Sequence, residues 1–154
     1  GDAGYFNQQG ALVLTERIKD LFKTSNGKYI APQAIESRLG EDKYIEQVAV
    51  IGDNRKFVTA IIVPAIEALK EYASRKKIRY RNLDELLSNP RVRELIGNRI
   101  EALQEGLASF EKIKKFTLLP KEFTMEAGEL TNTLKIRRPV INRHYASQIE
   151  AMYA

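Results

Sequence analysis

IEQVAVIGDNRKFVTAIIVP, Ile45 to Pro64, is the stretch on which the fold class turns. Two nearly unbroken apolar runs, from Gln47 to Ile51 and from Phe57 to Val63, flank a Gly52-Asp53-Asn54 turn, the pattern of an antiparallel β-hairpin. A strand with one wet face alternates apolar and polar residues. Runs this continuous therefore predict strands at the centre of a domain, covered on both sides.

Helical periodicity surrounds that hairpin. Upstream, Pro32 opens a short helix at its favoured first position, Ile35 and Leu39 supply one apolar face, and Gly40 ends it. Downstream, helices are predicted from Ile66 to Ser74, from Asn82 to Leu87 with Asn82 as the cap, and from Pro90 to Leu107 with Val92, Ile96, Ile100 and Leu103 on one face. Phe116 to Leu119 reads as a third strand closed by Pro120. A final helix from about Pro139 to Met152 places Ile141, Tyr145 and Ile149 at spacing four.

Near the start, Tyr5-Phe6, the Asn7-Gln8-Gln9-Gly10 turn and Ala11 to Leu14 form a leading hairpin. Thr15 to Asp20 crowds polar residues around Ile18 and reads as a bend or hinge. Leu21 to Lys23 and Lys28 to Ile30 then pair across Thr24-Ser25-Asn26-Gly27, where Asn26-Gly27 takes positive φ cheaply. The expected class is α+β: a leading β-hairpin lobe and hinge, then a small, mainly three-stranded antiparallel sheet covered by helices. Because the sequence opens on Gly1 and enters a hairpin at once, it reads as a piece of a longer protein.

Composition narrows the function classes. With 154 residues, 44% hydrophobic and 29% charged, the chain has the profile of one globular domain. No run approaches the roughly 20 apolar residues of a membrane span, so a cytoplasmic location is the expectation. The lack of cysteine removes disulfides, thiolate nucleophiles and thiolate metal sites together. A net charge of +5 favours polyanionic partners. Its densest point, Arg75-Lys76-Lys77-Ile78-Arg79-Tyr80-Arg81, suits either a nucleic-acid or lipid surface or a helix end whose dipole welcomes cations.

Self-contained catalysis finds little support. The single histidine, His144, stands between Arg143 and Tyr145 with no metal-ligand partner at helical spacing and reads as a surface residue. Triad, phosphate-loop and dinucleotide signatures are absent. The carboxylate pairs Glu67/Glu71 and Glu101/Glu105 sit at i, i+4 on solvated helix faces. What remains is Lys135 in GELTNTLKIRR, Gly128 to Arg138. If that segment is extended, Leu134 and Ile136 point away from the lysine, leaving an ammonium beside the Thr131 and Thr133 hydroxyls. Such a point charge suits a phosphate. On residue type alone it better suits a solvated lysine on an edge strand guarded against pairing.

Two segments resolve that choice. GDAGYFNQQGALVLTERIKDLFKTSNGKYIAPQAIE, residues 1–36, and GELTNTLKIRR resemble the C-terminal region of the adenylate-forming enzymes, the superfamily of acyl-CoA synthetases, luciferases and peptide-synthetase adenylation domains. Within it the likeness is closest to bacterial long-chain fatty acid–CoA ligases, and it spans essentially the whole chain.

The resemblance implies a division of labour. Asp2 and Arg17 would bind the ribose of ATP, Lys19 would be the hinge, Ser25, Asn26 and Gly27 would line the channel for the pantetheine arm of coenzyme A, and Lys135 would contact the carboxylate and the α-phosphate during adenylation. Residues 1–18 would close a large N-terminal domain and approach the hinge, and residues 19–154 would form the mobile domain. ATP, magnesium and CoA would serve the full-length enzyme, with none bound by this region alone and no metal site within it. Its partners would be its own N-terminal domain and the substrates fatty acid, ATP and CoA, without nucleic acid, and with peripheral association at the inner membrane face. Two departures stand out: Glu16-Arg17 and Leu134-Lys135 replace the family's common Gly-Arg and Gly-Lys. The alternatives are an adenylate-forming ligase for another carboxylic acid, or a basic nucleic-acid- or lipid-binding module.

Overall fold

Residues 21–154 are described by a computed structural model, in which a small sheet is enclosed by helices on both faces. The elements in order are β1 (Phe22–Lys23), β2 (Tyr29–Ile30), α1 (Pro32–Gly40), β3 (Ile45–Ile51), β4 (Val58–Pro64), α2 (Ile66–Arg75), α3 (Leu83–Ser88), α4 (Pro90–Leu103), β5 (Ile113–Leu118), α5 (Arg138–His144) and α6 (Ala146–Tyr153). The leading hairpin read at residues 5–14 lies outside the described residues.

Register explains the unbroken apolar runs. Val48 faces Ile62 and Val50 faces Ala60 across the β3–β4 ladder, and all four join one core with Ile35, Leu39, Leu69, Leu86 and Ile96 of α1 to α4. Ala49, opposite Ile61, belongs to a second core on the other face, with Phe123, Ile141, Ile149 and Met152. Every residue of β4 is buried. Gly52, in the connecting turn, lets the Phe22 ring settle over it; a Cβ there would stand 3.0 Å from that ring.

The sheet is mixed rather than antiparallel. β3 and β4 pair antiparallel, but β5 lies parallel to β4 on its other side, with Ala60 opposite Phe116 and Ile62 opposite Leu118. The connection through residues 65–112 carries α2, α3 and α4 over one face and returns the chain to the end from which β4 started. A long helical crossover permits that arrangement, whereas a tight turn does not. Two helix boundaries also differ from expectation. α4 stops at Leu103, not Leu107, because Gln104 turns its amide into the sheet, and the last helix breaks at Tyr145 (φ −119°, ψ 30°). Asn82 caps α3 as expected, accepting from the Glu85 N–H at 2.9 Å.

Side chains take over where backbone pairing ends. The Gln104 amide accepts from the Ile113 N–H at 2.5 Å and donates to the Ile113 carbonyl at 3.4 Å, standing in for a missing strand at the start of β5. Gln47 does the same with Phe123, at 2.7 and 3.2 Å. On the open edge of β3, the Val50 N–H donates to Glu36 at 2.7 Å and the Val50 carbonyl accepts from Arg138 at 2.9 Å, while Glu36 and Arg138 form an ion pair. An edge blocked in this way offers no template to another strand.

Gln104→Ala strands a buried N–H and a carbonyl at Ile113, so the fold should lose about 1–3 kcal/mol. Urea unfolding monitored by circular dichroism checks this, and an unchanged midpoint would contradict the role given to Gln104.

Candidate functional site

Lys135 sits on a tight hairpin, not on an extended ledge. Its walls meet at a bridge between Leu130 and Ile136, and the Thr131 N–H donates to the Lys135 carbonyl at 2.8 Å. Within the loop, the Thr131 hydroxyl accepts from the Lys135 N–H at 3.1 Å and from the Thr133 N–H at 3.3 Å, and meets the Thr133 hydroxyl at 3.0 Å. The expected alternation of Leu134 and Ile136 about the lysine fails because Leu134 takes φ +65°. A left-handed conformation costs a non-glycine residue about 1–2 kcal/mol. The backbone of Lys135 is thus pinned on both sides of its peptide. Its exposed ammonium has no hydrogen-bond or ion-pair partner among the described residues, and it borders a shallow groove between the hairpin, α1 and β3.

Beneath the hairpin lies a buried carboxylate. Glu129 accepts from the Tyr145 hydroxyl at 2.9 Å, meets His144 Nδ1 at 2.9 Å and accepts from the Thr124 N–H at 3.2 Å. Burial pushes the Glu129 carboxyl up, but hydrogen bonds from His144, Tyr145 and the Thr124 N–H outweigh it and hold the group below the ordinary carboxylate value. Burial and the Glu129 anion together push the Tyr145 phenol up to about 12, so it stays a donor at neutral pH. His144 is partly exposed, as a surface residue should be, yet it has a carboxylate partner that helical spacing could not reveal. The break at Tyr145 lets two consecutive residues aim at one oxygen, which successive positions of an unbroken helix cannot do.

The Ser25-Asn26-Gly27 loop is exposed and equally well pinned. The Thr24 hydroxyl donates to Asn26 at 2.7 Å and accepts from the Lys28 N–H at 3.1 Å, and the Ser25 N–H donates to the Arg55 carbonyl at 2.9 Å. Gly27 takes φ +86° with open space where a side chain would stand, so its backbone is approachable. Among the described residues no hydrogen bond or ion pair joins this loop to the Lys135 hairpin. They rest on different cores: Phe22 and Ile30, flanking the loop, pack with α1 to α4, whereas Leu130 and Ile136 pack with α5 and α6. Asp2, Arg17 and Lys19 lie outside the described residues.

The basic cluster at the end of α2 has a structural role in ending that helix, while Lys76, Lys77 and Arg79 remain exposed. Lys77 takes φ +57°, Ile78 is buried with its N–H on the Ala73 carbonyl at 2.8 Å, and Arg81 pairs with Glu85 at 2.7 Å. This is a helix stop anchored by an apolar residue. Among the described residues no cluster of three or more His, Asp or Glu side chains is arranged to hold a metal ion, and no helix is long and apolar enough to cross a membrane.

A family model described as the AMP-binding enzyme C-terminal domain matches residues 19–154. The chain belongs to that family. A peroxisomal long-chain acyl-CoA synthetase of Arabidopsis thaliana is 36% identical over 157 residues, covering 100% of this chain. A long-chain-fatty-acid–CoA ligase of Mycobacterium tuberculosis is 34% identical over 99% of the chain, and human long-chain-fatty-acid–CoA ligase 1 is 34% identical over 100%. The chain spans only 22–26% of the length of these curated relatives. Among solved structures, the adenylation domain of a carboxylate reductase from Mycobacterium chelonae superimposes with a TM-score of 0.70 at 28% identity, covering 89% of this chain and 20% of that one. An adenylation and carrier didomain of a carboxylic acid reductase from Segniliparus rugosus, in complex with AMP, gives 0.69 at 27% identity, covering 87% and 17%.

In this C-terminal domain of the AMP-binding enzyme family, sequence reading singled out Lys135 and the Gly27 loop as candidates and passed over Glu129. Its partners lie 15 and 16 residues away, and no local pattern joins them. The raised Tyr145 phenol carries a pH signature. Its folded value stands above its unfolded value of about 10, so its contribution is complete below pH 10 and is lost as pH rises toward 12. Tyr145→Phe should therefore flatten the alkaline fall of the urea midpoint over that range. An alkaline limb identical to wild type would remove Tyr145 from the cluster's energetics.

Proposed function

We propose that the chain is the C-terminal domain of an ATP-dependent, AMP-forming long-chain fatty acid–CoA ligase, and that Lys135 serves its adenylation step. The observation that carries this reading is an ammonium without a partner among the described residues, on a pinned hairpin, in a chain that long-chain ligases match over 99–100% of its own length. In the first half-reaction a fatty carboxylate oxygen attacks the α-phosphorus of ATP, pyrophosphate leaves and an acyl-adenylate forms. Negative charge builds on the phosphoryl oxygens, and a positioned ammonium stabilises it without reorganising. In the second, the CoA thiol attacks the acyl carbonyl, AMP leaves, a thioester forms and the thiol proton passes to solvent.

Two demands on one small domain suit two separately supported loops. Lys135 belongs to adenylation and the exposed Ser25-Asn26-Gly27 backbone to the passage of the pantetheine arm, so turning the domain about Lys19 exchanges one for the other. Asp2, as an ionised acceptor, and Arg17 would hold the ATP ribose. Residues 1–18 would complete the large domain and residues 19–154 the mobile one, a division in keeping with the family match beginning at residue 19. Magnesium, expected with ATP, would supply charge neutralisation at the phosphates from ligands in the large domain. A cytoplasmic location with peripheral docking at the inner membrane face fits a substrate that partitions into lipid.

A second reading changes the acid. Carboxylate reductase adenylation domains share the fold at 27–28% identity, which supports the same half-reaction on a different carboxylate. Pyrophosphate exchange by the full-length protein against fatty and aryl acids separates the two.

In the full-length protein, Lys135→Ala should lower adenylation by about 10²–10³-fold while sparing thioester formation from supplied acyl-adenylate. Equal loss in both half-reactions would remove Lys135 from this role. Lys19→Pro should stiffen the joint and slow thioester formation more than adenylation, measured by the same pair of assays; equal effects would count against the hinge.

A further inference from the structure

We propose that Glu129 is a positioning residue for Lys135, fixing the lysine hairpin in the adenylating orientation through His144 and Tyr145. The inference rests on the role proposed for Lys135. Glu129 is a buried ionisable group that the two half-reactions leave unused, its side chain only 5% exposed.

Its position is what assigns the role. The carboxylate is gripped from two directions, by the Thr124 N–H ahead of the hairpin and by His144 and Tyr145 at the α5–α6 break. The backbone of the same residue forms the hairpin's base: its N–H donates to the Thr124 carbonyl at 3.0 Å and its carbonyl accepts from the Arg137 N–H at 2.8 Å. The next rungs, the Leu130–Ile136 bridge and the Thr131 N–H on the Lys135 carbonyl, lead to the lysine itself. Hydrogen bonds thus run unbroken from the carboxylate to the Lys135 peptide, and beyond it the ammonium has none. An apolar side chain would fill the same space and hold the layers together as well. It would not fix direction: three hydrogen bonds from two elements set the angle at which the hairpin leaves the core, and a misplacement of about 1 Å at a reacting centre costs on the order of 10²-fold.

The experiment uses the full-length protein and both half-reactions. Glu129→Ala should reduce the kcat of adenylation about 10–100-fold. Thioester formation from supplied acyl-adenylate should be unchanged, and in the Lys135→Ala background Glu129→Ala should cost adenylation nothing more. Should Glu129→Ala not fold, Tyr145→Phe and His144→Gln decide, each expected to give a smaller loss confined to adenylation. A parallel fall of both half-reactions, an unchanged adenylation rate, or a full further loss in the Lys135→Ala background would overturn the proposal. If Lys135→Ala itself leaves adenylation intact, the reading of Lys135 fails and this inference with it. A selective Lys135→Ala beside an unselective Glu129→Ala defeats the positioning role alone.

Discussion

Everything in this domain hangs on burying both faces of β4. A seven-residue strand with no exposed position needs neighbours on both edges and covers on both faces. The α1 to α4 helices supply one cover, and α5, α6 and the segment around Phe123 and Leu130 supply the other. This layering is why the chain has two cores in so few residues. It also seats the Gly27 loop and the Lys135 hairpin against different cores, on opposite faces of the sheet. A close-packed interior transmits little slack, so the two loops keep their positions relative to one another.

A short sheet leaves many backbone groups that no strand can reach, and the fold meets them with side chains. Gln47 and Gln104 imitate strand residues, and Glu36 with Arg138 closes the β3 edge. The last of these also has a bearing on the site, because Arg138 opens α5 directly after the Lys135 hairpin. The hairpin is consequently tethered at its far end to the sheet edge and at its base to the α5–α6 break, and only its tip projects. Leu134 stands at that tip, 66% exposed and in a backbone conformation leucine rarely adopts. Strain of this kind persists where the surrounding structure over-determines it, here through the three hydrogen bonds to the Thr131 hydroxyl.

Much of this was legible in the sequence, for identifiable reasons. Burial on both faces showed in the unbroken runs from Gln47 to Ile51 and Phe57 to Val63. Asn82 and the Asn26-Gly27 turn announced themselves because caps and positive φ demand particular residues. The direction of β5 did not show, since strand periodicity is the same whichever way the chain runs. Nor did the helix break: Ile141, Tyr145 and Ile149 keep their spacing of four straight across it. The Lys135 hairpin was hidden for a different reason. A leucine at φ +65° contradicts local preference, and preference was the evidence available. Glu129, His144 and Tyr145 meet only in the folded chain.

The parallel seating of β5 has a kinetic consequence. The β3–β4 hairpin is local and can form within microseconds, but β5 cannot dock until residues 65–112 have been laid across the sheet. During that interval one edge of β4, VTAIIVP, stands open with an uncharged, β-branched sequence. That is the composition most prone to intermolecular pairing. The slow closing of one parallel ladder therefore lengthens the interval in which that edge can pair with another chain.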